Sequence, residues 1–369
     1  MAAIARLYPR CWQLRARSAS PRNSTPAAMA HRSNASDDGR RLRLNGRPLH
    51  SVFAALSPSS PGVPLTAALL ALLAMVLLSG CASQPRQLVR IDDQTLAYSL
   101  AGARSPTVVF ESGLGHDLDA WSQVIRGLEK VQTRFFAYDR PGYGGSLNSS
   151  DRLRAALDFA PGSELLSLLD LANAPDAVTG EHAARRLAAT LGAVGAEPPY
   201  ILVGHSLGGQ YVQIFAALFP DLVAGIVLVD SRPKHFTRLC LEQGLSGCEV
   251  PSWLAAISQA HVRAEIAGLA ATAAQTPEPA ELGQIPVIRL VAGRHVRSFS
   301  PAQHALWVQL QASETQAQAN GRMQLVENSG HDIQIERPDV VVAAVQALLQ
   351  SAPSPLPPSS RTAPVHSSR

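Results

Sequence analysis

The ten residues Tyr200-Ile201-Leu202-Val203-Gly204-His205-Ser206-Leu207-Gly208-Gly209 constrain this chain more than any other stretch. An apolar run of strand character enters Gly-x-Ser-x-Gly directly, and Tyr211, Ile214, Phe215 and Leu218 then recur on one face at helical spacing. A strand that passes into a helix with no loop between them forces the residue at the corner into strained backbone geometry. That residue is Ser206, and the turn pushes its hydroxyl out above the strand ends. Gly204 and Gly208 leave no side chain to collide where strand and helix approach each other.

Three further segments share this pattern of a buried strand running into a loop of small and polar residues. Thr107-Val108-Val109-Phe110 leads into Glu111-Ser112-Gly113-Leu114-Gly115. Residues 133–138 lead into Asp139-Arg140-Pro141-Gly142-Tyr143-Gly144-Gly145-Ser146. Residues 323–326 lead into Asn328-Ser329-Gly330-His331-Asp332. Together with the Ser206 turn, these segments resemble the serine-dependent α/β-hydrolase family in its single-domain esterase and lipase branch.

The resemblance implies an eight-stranded, mostly parallel sheet flanked by helices, with a small helical cap after the sixth strand. It implies Ser206 as nucleophile and His331 as general base, with the backbone N–H groups of Leu114 and Leu207 forming an oxyanion hole. Ser112 stands where the family usually has the His of a His-Gly pair; backbone donors do not depend on that side chain. The loop from Asp139 is close to the family's Asp-Arg-x-Gly-x-Gly-x-Ser, and Asp139 is expected to accept hydrogen bonds from its backbone N–H groups. His205 matches a common filler before the nucleophile, with its side chain pointing away from Ser206. His116 is expected to be a solvated loop histidine.

The triad acid is a second departure. The family most often places it after the seventh strand, but Ala292-Gly293-Arg294-His295-Val296-Arg297-Ser298 contains no carboxylate. Glu314 lies beyond the helix that starts at Pro301, too far along to serve. A minority of the family carries the acid at the end of the sixth strand, where Val227-Leu228-Val229-Asp230-Ser231 ends in Asp230. Asp230 is therefore the expected acid. Asp332, a water-supported dyad and a residue of the insertion at 147–178 are the alternatives.

Organisation follows from these anchors. Residues 1–62 are rich in Arg, Ser, Pro and Ala without periodicity and read as a disordered or non-native leader. Residues 65–78 are apolar apart from Thr66, too short for a comfortable membrane span but suited to a secretory signal over 63–80. The run closes in Leu78-Ser79-Gly80-Cys81, which resembles the bacterial lipobox. That resemblance implies a diacylglycerol on Cys81, a tether over 81–87, and a bacterial cell-envelope location on the outer membrane, facing the periplasm. The hydrolase domain is expected over 88–350 with its cap at about 232–281, and a Pro- and Ser-rich tail over 351–369. Within 147–178 two short amphipathic helices, near 155–159 and 165–171, would form a second lid piece or a surface insertion. Once Cys81 is acylated and the leader with Cys11 removed, Cys240 and Cys248 are the only thiols left, and an oxidising compartment predicts a disulfide between them.

Charge narrows the partners. The first 80 residues hold ten Arg, no Lys and two Asp, leaving 22 basic and 26 acidic residues in the rest of the chain. A mildly acidic domain argues against nucleic acid. No metal-ligand spacing and no Gly-rich phosphate loop appears, so neither a metal nor another cofactor is expected. The chemistry expected is hydrolysis of a small or lipid-like carboxylic ester. The alternatives are a peptidase, acyltransferase or carbon–carbon hydrolase on the same scaffold, and a surface lipoprotein without activity.

Overall fold

A computed structural model describes residues 85–131, 133–147, 176–294 and 299–351. The leader and signal segments, Cys81, nearly all of the 147–178 insertion and the tail beyond 351 lie outside the described residues. No described helix is long and apolar enough to cross a membrane.

Eight strands form one sheet. They are β1 (Gln87–Ile91), β2 (Gln94–Ala101), β3 (Arg104–Glu111), β4 (Thr133–Tyr138), β5 (Tyr200–His205), β6 (Val223–Val229), β7 (Val287–Ala292) and β8 (Gly321–Val326), in the spatial order β1-β2-β4-β3-β5-β6-β7-β8. β1 and β2 form the antiparallel hairpin read from the alternation around Asp92-Asp93, and β2 pairs antiparallel with β4. Every other pairing is parallel. The architecture is the expected mostly parallel sheet flanked by helices.

The apolar runs read as strands because both of their faces are covered. Side chains alternate across a strand. Val108, Phe110, Ile201, Val203, Val227 and Val229 enter one core, with Trp121, which precedes α1 (Ser122–Glu129), Ile125 and Leu128 on α1, and Val341 and Val345 on the closing helix Pro338–Ser351. Val109, Leu202, Ile226 and Leu228 enter the other, with Leu187 on α2 (Gly180–Ala193) and Val212 and Phe215 on α3 (Leu207–Leu218). Parallel strands put all their C-terminal ends at one edge, and the loops carrying the candidate residues start there.

Between β6 and β7 the chain is helical, as expected of a cap: α4 (Phe236–Glu242), α5 (Ser252–Ala256), α6 (Ala260–Ala267) and α7 (Leu269–Gln275). The spacing predicted one helix over 262–271, whereas the chain breaks at Gly268. A Cβ on Gly268 would run into the Val178 carbonyl oxygen. Val178 also donates its N–H to Ala264 O at 2.9 Å, so a second segment lies against the chain at this point. A disulfide joins Cys240 and Cys248, with Cα atoms 5.7 Å apart. The chain between them turns back through positive φ at Gly244 and Gly247. Both cysteines pack with Phe236, Leu306 and Trp307, tying the start of this segment to α8 (Pro301–Gln316).

Candidate active site

β5 ends at His205, and Ser206 takes φ +52° and ψ −117° before α3 begins. An L residue avoids this region, so the conformation must be imposed by its surroundings. The Ser206 N–H donates to Val229 O at 3.1 Å, and its carbonyl accepts from Gly209 N and Arg232 N, each at 3.1 Å. The turn also needs bare backbone nearby. A Cβ on Gly204 would lie 2.6 Å from Gly208 O, and one on Gly208 would strike the Glu111 carbonyl oxygen. The second contact presses the start of α3 against the loop after β3. In consequence the Leu207 and Leu114 N–H groups stand on neighbouring segments, and neither has an acceptor among the described residues. Ser206 itself is half-buried, between fully buried neighbours.

Asp230 follows β6 and is buried, with φ +40°. Its Oδ2 lies 2.6 Å from His331 Nδ1. Its Oδ1 accepts from Ala292 N at 3.1 Å and from Trp307 Nε1 at 3.0 Å. Both carboxylate oxygens are thus engaged, and the imidazole meets a fixed partner. Burial works against a charge on the His331 ring, but the hydrogen bond and charge of Asp230, with Asp332 beyond, outweigh it and raise its pKa.

Asp332 does not reach the His331 ring in this way. Its Oδ1 faces His116 Nε2 at 3.5 Å and His205 Nε2 at 3.6 Å. The expectation of a solvated His116 is met only in part: its side chain is 29% exposed. Its ring packs edge-on against His205 at 5.5 Å, because the loop after β3 folds over the strand ends, and burial lowers its pKa. His205 Nε2 lies 3.1 Å from the His331 carbonyl oxygen. That oxygen can only accept, so the proton is on Nε2. Burial, with His331 and His116 nearby, holds the His205 pKa well below the usual imidazole value, so the ring is neutral and braces the histidine loop. Glu314 pairs with Arg289 at 2.8 Å and accepts from Lys234 N at 3.0 Å.

Asp139 accepts from Gly145 N at 2.7 Å, within its own Gly-rich loop, and from Leu118 N at 2.8 Å. It also accepts from Arg86 Nε at 2.9 Å, pinning the chain just ahead of β1. Ser112 Oγ donates to Asp117 O at 3.1 Å and accepts from Trp121 Nε1 at 2.9 Å, so this side chain shapes the loop after β3. Sequence reasoning missed Arg140 and Glu265, which meet beneath that loop with Nε–Oε1 at 2.6 Å. Neither residue carries a local sequence signal of the pairing. Trp307 carried no signal.

A strained serine corner and a carboxylate-bound histidine stand at the C-terminal edge of this sheet. The family model for the alpha/beta hydrolase fold matches residues 106–249, and the sheet has the strand order and flanking helices of that fold. It is 23% identical over 258 residues to the uncharacterized protein YqjL of Bacillus subtilis, covering 66% of this chain and 83% of that protein. It is 28% identical over 148 residues to the esterase Rv0045c of Mycobacterium tuberculosis, covering 37% of each chain. Among solved structures it resembles the mouse alpha/beta hydrolase domain-containing protein 10, with a TM-score of 0.50 at 16% identity, over 72% of this chain and 99% of that one.

Proposed function

We propose that this protein is an α/β-hydrolase that cleaves carboxylic esters through an acyl-enzyme on Ser206. The observation that carries the reading is the 2.6 Å contact of Asp230 with His331 Nδ1, next to a serine held in a strained corner. With Nδ1 engaged, Nε2 is the nitrogen left to act as base. It takes the Ser206 proton as Oγ attacks the ester carbonyl carbon, and Asp230 steadies the imidazolium that forms. The Leu114 and Leu207 N–H groups receive the negative charge on the carbonyl oxygen. The tetrahedral intermediate collapses with loss of the alcohol, which leaves with the proton from Nε2. Water then attacks the acyl carbon, giving its proton to the same nitrogen, and the second tetrahedral intermediate expels Ser206 Oγ, which takes that proton back as the acid departs. The similarity to an esterase over part of the chain favours an ester as substrate, and the segment between β6 and β7 would shape the acyl pocket.

A fluorophosphonate probe tests the chemistry. It is expected to label wild-type protein at Ser206, identified by peptide mass spectrometry. The labelling rate should fall as pH drops through the His331 pKa, because an imidazolium cannot accept the serine proton. That pKa is raised, so the half-maximal rate should lie above the ordinary imidazole value of about 6.5. Absence of labelling at any pH would remove the hydrolase mechanism, and a panel of nitrophenyl esters of increasing acyl length would define the substrate.

We also propose a cell-envelope location with a lipid on Cys81. The apolar run at 65–78 that ends in Leu78-Ser79-Gly80-Cys81 supports it. Cells fed labelled palmitate are expected to incorporate it into the wild type and not into Cys81→Ser; equal incorporation would remove the anchor.

A further inference from the structure

The peptide unit between Gly113 and Leu114 carries two groups of interest. Its C=O belongs to Gly113 and its N–H to Leu114. In a planar trans peptide the two point in opposite directions, so whatever holds the oxygen also aims the hydrogen. Arg140 Nη2 donates to Gly113 O at 2.9 Å, and Nη1 donates to Ser112 O and, at 2.9 Å, to Glu111 Oε1. His116 N adds a second bond to Gly113 O at 3.2 Å.

The guanidinium is itself fixed. It is 4% exposed, and its Nε and Nη2 fork onto the two Glu265 oxygens at 2.6 and 3.1 Å. Glu265 belongs to α6, in the segment between β6 and β7. Tyr143 Oη donates to Glu265 Oε2 at 2.8 Å and accepts from Gly115 N at 3.2 Å, so the same group also grips the far end of the loop. A cation against a carbonyl oxygen draws charge through the amide and makes its N–H a stronger donor, an effect that grows where water is excluded.

We propose that Arg140 is a positioning residue of the oxyanion hole, aiming and polarising the Leu114 N–H through the Gly113 carbonyl. Glu265 seats Arg140, so the placement of α6 is felt at the reacting oxygen. This rests on the ester-hydrolase reading of Ser206. Full negative charge reaches the oxygen only in the tetrahedral state, so a perturbed Leu114 N–H lowers kcat and spares KM.

The test compares full-length wild type with Arg140→Lys, Glu265→Gln and Tyr143→Phe. The measurements are kcat and KM on a nitrophenyl ester, the inhibition constant of a trifluoromethyl ketone, and near-UV circular dichroism. The ketone adds to the serine as an anionic hemiketal and so reports on the oxyanion site. Arg140→Lys keeps a charge but loses the planar fork. It should lower kcat by about 10- to 100-fold, with KM within about threefold, and weaken ketone binding by the same factor as kcat. Glu265→Gln should move kcat and ketone binding together by about three- to tenfold. A folded Arg140→Lys with native kcat and ketone affinity overturns the proposal, as does a loss of kcat with unchanged ketone affinity. Should Arg140→Lys fail to fold, native values in both Glu265→Gln and Tyr143→Phe overturn it. Fluorophosphonate labelling of the wild type separates the two levels. A labelled wild type with unaffected variants removes only the role of Arg140, and an unlabelled one removes the ester-hydrolase reading with it.

Discussion

Ser206→Ala is expected to lower ester turnover by about 10⁴- to 10⁶-fold while the protein stays folded. The loss is large because the hydroxyl is the group that attacks the ester in the proposed mechanism. The fold should survive because alanine keeps the Cβ and the backbone partners. The corner at φ +52° is held by bonds from and to Val229, Gly209 and Arg232, and all of them are main-chain bonds at the Ser206 end. Some rate above water should persist, since the Leu114 and Leu207 donors remain. Turnover of a nitrophenyl ester beside a thermal melt checks both halves. A variant with near-native turnover would mean that the acyl group never rests on Ser206.

Asp230→Asn is expected to slow turnover by about 10³- to 10⁴-fold, again without unfolding. The surroundings of Asp230 dictate how the amide must sit. Ala292 N and Trp307 Nε1 both donate to Oδ1, so the single amide oxygen has to stay with them. The NH₂ group is then left facing His331 Nδ1. A donor there requires Nδ1 to be the bare nitrogen and places the ring proton on Nε2, the tautomer that cannot accept from serine. The variant also loses the partner that raises the His331 pKa, so the midpoint of its residual activity should move to lower pH. Turnover across pH 5–9 measures both effects. Near-native rates would reduce Asp230 to a residue that caps the end of β6.

Much of the fold was readable before any coordinates. Strands buried on both faces appear as unbroken apolar runs, and a strand entering a helix through glycines has few alternatives. Asp230 could be singled out because residues 292–298 carry no carboxylate and β6 ends in one. Contacts made across the chain were not readable. Arg140 and Glu265 are 125 residues apart, and nothing local in either marks the other as its partner. His116 looked like a loop residue because its burial comes from His205 and Asp332, which reach it only when the loops after β3, β5 and β8 converge. Nor can a helical period announce the second segment that lies against the chain at Gly268.

The acid at the end of β6 has a geometric corollary. β5 and β6 run parallel with His205 opposite Val229, and Ser206 and Asp230 are the residues that directly follow this pair. Ser206 N donates to Val229 O and Arg232 N donates to Ser206 O, bracketing Asp230 between two bonds to the nucleophile's own backbone. The separation of the Ser206 and Asp230 backbones thus follows the spacing of adjacent strands, about 4.8 Å. An acid after β7 would instead inherit the tolerance of whichever loop carried it. Asp230 needs no partner carboxylate from the connection between β7 and α8, and residues 292–298 contain none.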